Sequence, residues 1–181
     1  MRALVLDGTG SDEILGSMAE ASRKAGFEMD TVPLAKSPVN GCQGCFACWV
    51  KTPGECAFDD GGKAVASKWV GSDLAVFVSP AVFGTYGPAL KRAMERLLPV
   101  MMPYFKRING RVGHPHRYAK RPGLLVFGIG AQESENQNFR DMVDRNALTL
   151  NPSFHEVVFL DGDGDNEKIA AAFERARKVM A

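Results

Sequence analysis

Cys42, Cys45, Cys48 and Cys56 carry the spacing C-x2-C-x2-C-x7-C and are all the cysteines of the chain. Four thiolates in one compact loop suit a [4Fe–4S] cluster, and the C-x2-C-x2-C portion has the spacing of bacterial ferredoxins. Zinc also accepts four thiolates, but it usually draws them from two separated pairs. A regulatory dithiol is a third chemistry open to such a segment. The plainest alternative is four thiols packed as small hydrophobes. The polar, glycine-bearing surroundings of residues 41–60 speak against it.

Three further loops have the composition of a ligand cradle. The first is Asp7-Gly8-Thr9-Gly10-Ser11-Asp12-Glu13. Glycines turn backbone N–H groups toward an anion, hydroxyls add donors, and a helix start is electropositive, so Thr9, Gly10 and Ser11 are candidate phosphate ligands. The competing reading is a tight turn whose acidic residues cap the helix themselves. The loop matches neither GxxxxGK[ST] nor GxGxxG. The second loop contains Pro80-Ala81-Val82-Phe83-Gly84. Its rigidity and glycine allow close backbone approach to a flat ligand, and Phe83 and Tyr86 offer apolar surface to a ring. Incidental aromatics in a strand-to-helix turn are the alternative. The third loop begins at Gly128 and runs to Gln132. Together the three predict a pocket sized for a mononucleotide bearing a ring.

The elements that must position these loops are legible as alternating patterns. Short β-rich runs begin at Ala3, Phe27, Leu74, Leu124 and Val157, and helical apolar stripes follow them. Leu74-Ala75-Val76-Phe77-Val78 has the continuous apolar character of a strand buried on both faces. Five β–α alternations predict a doubly wound three-layer α/β fold with a five-stranded parallel sheet in the order 2-1-3-4-5. Ligands of such sheets sit beyond the carboxyl ends of the strands at the topological switch point, here strands one and three. Residues 103–122 read as irregular. No internal repeat or linker breaks the chain, which predicts one domain over residues 1–181.

With 22 Lys and Arg against 21 Asp and Glu, the formal charge is +1. That balance argues against a general nucleic-acid or anionic-membrane binder. No signal peptide or membrane-length apolar stretch is present, which predicts a cytoplasmic protein with reduced thiols. Lys106, Arg107, Arg111, Arg117, Lys120 and Arg121 concentrate positive charge in one acid-free stretch. Such a stretch beside a bound redox ring would suit the phosphates of a nucleotide, with a solvated insertion or a subunit contact as the equal alternative. His114-Pro115-His116 lacks a neighbouring carboxylate or thiol and reads as loop chemistry. The run Asp161-Gly162-Asp163-Gly164-Asp165 lacks the glycine and glutamate of a calcium loop and reads as a turn and helix cap.

The cysteine segment Gly41-Cys42-Gln43-Gly44-Cys45-Phe46-Ala47-Cys48, continuing to Cys56 and Asp59-Asp60, resembles that of the iron–sulfur flavoproteins. These belong to the flavodoxin-like NAD(P)H-dependent FMN reductases. Residues Pro80 to Gly84, followed by Leu90-Lys91 and Glu95-Arg96, resemble that group's isoalloxazine loop and its following helix. The resemblance implies a flavodoxin-like fold, bound FMN and, with all four cysteines metallated, a [4Fe–4S] cluster. It implies an FMN-dependent oxidoreductase that moves electrons from a reduced donor, NAD(P)H or a protein, to a small-molecule or protein acceptor. With cluster and flavin on one edge, a two-electron donation would divide into single steps. A non-enzymatic flavodoxin-like electron carrier and a flavin-free zinc domain are the alternatives. The group commonly forms homodimers or higher homo-oligomers, and residues 100–104 are apolar enough to join such a contact. Three positions depart from the group. Val82 stands where Tyr is frequent, Glu95 replaces Asp, and the first loop lacks the usual Gly-Ser-Pro-Arg start, with its basic residue beside the phosphate.

Overall fold

The computed structural model of the protein describes all of residues 1–181 except Pro38, Asn109 and Asp163. The chain opens with β1 (Arg2–Asp7), α1 (Asp12–Lys24) and β2 (Glu28–Pro33), then α2 (Ala47–Val50), α3 (Gly61–Gly71) and β3 (Leu74–Val82). A short return strand β4 (Thr85–Tyr86) leads into α4 (Pro88–Glu95). The hairpin β5 (Lys106–Ile108) and β6 (Arg111–Gly113) precedes β7 (Gly123–Ile129), α5 (Asn136–Leu150), β8 (His155–Leu160) and α6 (Asn166–Val179).

The principal sheet runs β2-β1-β3-β7-β8 with every neighbouring pair parallel. Counted without the short strands, this is the expected 2-1-3-4-5 order. The sheet's period of two splits its side chains between two cores. Leu4, Leu6, Ala75 and Phe77 point to the side covered by α3, α4 and α5, where they meet Trp69, Leu90 and Phe139. Ala3, Val5, Val76 and Val78 point to the other side, against Ile14 and Met18 of α1 and Ile169 and Phe173 of α6. Strands with both faces covered must be apolar throughout, which explains the unbroken runs in β1, β3 and β7.

Local chemistry sets the element ends. The Ser11 hydroxyl accepts from the Ile14 amide at 3.2 Å and starts α1, and Gly26 at φ +80° lets the chain leave that helix in the left-handed conformation. The Asp60 carboxylate accepts from the Gly62 amide at 3.0 Å and caps α3.

Two expectations change. The stretch 103–122 is not wholly irregular, because β5 and β6 pair antiparallel from Lys106↔Gly113 to Ile108↔Arg111. Of the apolar residues 100–104, Val100 and Met101 belong to the core, while Tyr104 is exposed. The exposed apolar surface instead continues onto the hairpin through Phe105 and Val112.

Candidate functional site

The switch point lies where β1 is flanked by β2 and β3, and the loops after β1, β3 and β7 leave the sheet on that edge. At the end of β3 the chain does not pass directly into a helix. Ala81 pairs with Tyr86 and Val82 with Thr85, so Phe83 and Gly84 form a two-residue hairpin turn. Both have positive φ, +50° and +69°. This is the φ pattern of a turn that usually carries Asn-Gly. A phenylalanine in the left-handed region costs about 1–2 kcal/mol, yet the residue is 90% exposed and so gains little from packing. Gly84 is needed for room as well as conformation, since a Cβ there would lie 2.9 Å from the Cβ of Asn138. Pro80 and Ala81 are half-buried beneath the turn and Val82 is exposed beside it. The Ser79 hydroxyl fixes the base of the hairpin by accepting from the Gly87 amide at 2.8 Å.

Gly128 has a different place. It sits inside β7, paired with Ser79 and Phe159. A Cβ there would meet the Phe159 ring at 3.1 Å, so its side-chain-free surface serves packing. The loop proper starts at Gly130, at φ +66°, whose amide donates to the Leu160 carbonyl at 2.9 Å. Gly130, Ala131 and Gln132 are the residues this loop presents at the edge.

The loop after β1 is closed on itself. The Asp7 carboxylate, fully buried, accepts from the Thr9 amide at 2.9 Å and the Thr9 hydroxyl at 2.6 Å. It also accepts from the Gly10 amide at 3.2 Å. The Thr9 hydroxyl in turn accepts from the Ser11 amide at 3.1 Å. The Gly8 amide donates to the Val78 carbonyl. Asp12 and Glu13 occupy the first turn of α1, and Lys36 is paired with Asp12 at 3.0 Å. The ring end of an FMN site is therefore well provided, with a rigid hairpin, an exposed aromatic and a glycine loop. The phosphate end does not fit in the same way, because the Thr9 and Gly10 donors are spent on the Asp7 carboxylate and the Ser11 amide on the Thr9 hydroxyl.

The cysteines are drawn together at a second place. Cys42, Cys45, Cys48 and Cys56 all line one small cavity with Glu95, Arg96 and Pro99. Those residues lie at the C-terminal end of α4, whereas Pro88 begins that helix at the rim. Eight helical residues, about 12 Å of rise, separate the two ends. Cys42 also lines a second cavity with Asn146 and Leu150 of the last turns of α5. The thiols thus gather beside the end of α4 that lies away from the β3–β4 hairpin. Among the described residues, no three Cys, His, Asp or Glu side chains stand together as a ready-made metal site. The donor set nonetheless suits a thiolate-bound group. Gly44 at φ +65° and Phe46 at φ +54° bend the backbone around the thiols. Burial, and then the proximity of Cys56, Cys42 and Cys45, push the Cys48 thiol above its ordinary value. A cationic metal centre would relieve that repulsion.

Arg96 organises this end of the molecule. Its side chain is 2% exposed. It donates from Nη1 to Asp60 Oδ2 at 2.8 Å and to the Asn40 carbonyl at 3.0 Å. Nη2 donates to Asp60 Oδ1 and, at 3.3 Å, to Cys56 Sγ. Burial pushes the Asp60 carboxyl up, but Arg96 and the Gly62 and Asn40 amides outweigh it and hold it below the ordinary range.

The basic stretch divides. Lys106, Arg107 and Arg111 are exposed on or beside the hairpin strands. Lys120 pairs with Asp73 at 2.7 Å, and Arg117 donates to the Pro99 and Met101 carbonyls. The hairpin meets the cysteine segment through rings, with Trp49 4.8 Å and Phe105 4.6 Å from His114 by centroid.

The chain matches the NADPH-dependent FMN reductase family over residues 1–154. It is 30% identical over 101 residues to an iron–sulfur flavoprotein of Methanocaldococcus jannaschii, a match that covers 56% of this chain and 48% of that relative. The chain thus spans about half the length of the curated relative it matches. Its fold is similar to that of an NAD(P)H:quinone oxidoreductase from Methanothermobacter marburgensis, with a TM-score of 0.65, 15% identity and coverage of 99% of this chain and 95% of that one. It is also similar to an FMN-dependent NADH-azoreductase from Bacillus anthracis solved in complex with FMN, with a TM-score of 0.60, 12% identity and coverage of 99% and 97%. At such identities these structures speak for the flavodoxin-like fold alone.

Proposed function

The chain belongs to the NADPH-dependent FMN reductase family, and on that premise we propose that it is an FMN-dependent oxidoreductase oxidising a reduced nicotinamide and passing the electrons to a small-molecule or protein acceptor. The observation that carries this reading is the β3–β4 hairpin. A phenylalanine is held in a disfavoured conformation, almost fully exposed, on the edge where doubly wound sheets bind their ligands. Pro80, Ala81, Val82, Phe83 and Gly84 would support one face of the flavin ring, and Gly130 to Gln132 would border it. The flavin supplies the redox chemistry, accepting a hydride as two electrons. The protein's part is to fix the ring against a rigid backbone and leave one face open to the donor.

Cys42, Cys45, Cys48 and Cys56 would hold a [4Fe–4S] cluster, with the Arg96 guanidinium donating to the Cys56 sulfur. The similarity to the iron–sulfur flavoprotein of Methanocaldococcus and the cavity shared by the four thiols support this assignment. The exposed apolar residues Tyr104, Phe105 and Val112 beside Lys106 and Arg107 would suit a contact with a second copy of the chain. Among the described residues no helix is long and apolar enough to cross a membrane.

The test of the reductase reading is a variant in which stability and function move oppositely. Asn relieves the left-handed strain, so Phe83→Asn should raise the thermal midpoint by about 3 °C. The same change removes the aromatic surface and should weaken flavin binding about tenfold. NADPH oxidation by the wild type with added flavin, reduced in the variant at subsaturating flavin, completes the test. Unchanged flavin affinity in a folded variant would refute the assignment of Phe83 to the ring.

A further inference from the structure

We propose that the flavin site of this chain discriminates against the phosphate, and that it binds riboflavin at least as tightly as FMN. This deepens the reading above and rests on it. The specificity-determining residue is Asp7.

A phosphate cradle works because N–H and O–H groups of a glycine-bearing turn converge on an empty space at a helix start. Here that space is filled from within. The buried Asp7 carboxylate takes the Thr9 amide, the Thr9 hydroxyl and the Gly10 amide. The Thr9 hydroxyl takes the Ser11 amide, and the Ser11 hydroxyl takes the Ile14 amide. Asp7 thus stands as an internal anion where an external one would bind. A phosphate reaching these donors must displace a fully buried carboxylate from the hydrogen bonds that satisfy it.

Charge points the same way. Asp7, Asp12 and Glu13 place three carboxylates in and beside the loop. The cation paired there, Lys36, is engaged by Asp12. A phosphate dianion meets net negative charge, partly exposed and so open to screening by salt. The helix dipole of α1 is already answered by its own Asp12 and Glu13. Riboflavin presents the same ring to Phe83 and the β3–β4 hairpin and brings no charge to this loop.

Binding is measured by flavin fluorescence with riboflavin and FMN in parallel, at low and at about 0.5 M salt, where the Debye length falls to a few ångströms. The expected result is an FMN dissociation constant no lower than that of riboflavin, with FMN binding strengthened by salt and riboflavin binding little changed. Asp7→Ser should free the donors and tighten FMN at least about tenfold while leaving riboflavin within about threefold. Asp7→Asn keeps the side chain's shape and removes its charge, so it should tighten FMN by a smaller factor and serves should the Ser variant fail to fold. FMN bound more than about threefold tighter than riboflavin by the wild type, or weakened by salt, overturns the proposal while leaving the flavin reading intact. Failure of both flavins to bind overturns the flavin reading itself, and this proposal with it.

Discussion

Replacing Arg96 with methionine should lower the thermal midpoint by about 10 °C, corresponding to roughly 3–5 kcal/mol for breaking a buried ion pair in a chain of this size. The size follows from what would be stranded. The guanidinium satisfies both oxygens of Asp60, the Asn40 carbonyl and the Cys56 sulfur from a nearly solvent-free position. Lysine retains the charge but cannot span these partners, so Arg96→Lys should recover less than half of the loss. Gly62 makes the same point from the other side. A Cβ at position 62 would lie 2.6 Å from the guanidinium carbon. Gly62→Ala should therefore destabilise by about 2–4 kcal/mol, because the group it strikes is pinned and cannot yield. Combining it with Arg96→Met removes the clash, and the double variant should cost clearly less than the sum of the two. The Asp60 carboxyl is held below its ordinary range. Its contribution is thus fully present above the unfolded-state value and is lost as pH falls through the lower folded value. The gap between wild type and Asp60→Asn, followed by chemical denaturation, should narrow in acid. A constant gap would contradict the pairing.

Anaerobic reconstitution with iron and sulfide should give about four irons per chain, the composition of a [4Fe–4S] cluster. Conversion of any one of Cys42, Cys45, Cys48 or Cys56 to serine should reduce that content and bleach the broad visible absorption. Cys48 should be the most sensitive position, since its side chain is the most buried of the four and a hydroxyl there would be poorly solvated. Zinc retained without iron would point to the tetrahedral alternative. A cluster held by these thiols would lie beside the C-terminal end of α4, whereas that helix begins at the β3–β4 hairpin proposed for the flavin. Transfer between the two centres would then be helped by a second copy of the chain whose hairpin approaches these cysteines. Cluster reduction by NADPH should accordingly fall on dilution of the protein, while reduction of added flavin persists.

Much of this architecture was legible because both faces of the sheet are covered. Leu74 to Val78 had to be apolar at every position, and the stripes of α5 and α6 had to repeat at helical spacing to cover it. The hairpin of β5 and β6 escaped notice for the opposite reason. It packs little apolar surface, so its strands carry no clear alternation, and the one available signal was the Asn109-Gly110 dipeptide. The phosphate loop shows the limit most clearly. Glycines and hydroxyls look the same in sequence whether their donors face a ligand or a neighbouring carboxylate, and Asp7 reads as the last residue of a strand. Arg96 likewise looked like part of a family motif. Its pairing with Asp60 across the chain, and the need for glycine at 62, depend on tertiary contact that no local pattern encodes.

On the proposed reading, the rim formed by the loops after β3 and β7 holds the flavin ring, with Phe83 against it. This placement is tested most directly by the structure of the protein crystallised with riboflavin or FMN. The predicted result is a ring lying within van der Waals distance of Phe83 and bordered by Gly130 to Gln132. A flavin seated elsewhere, or a rim left empty at saturating flavin, would contradict it.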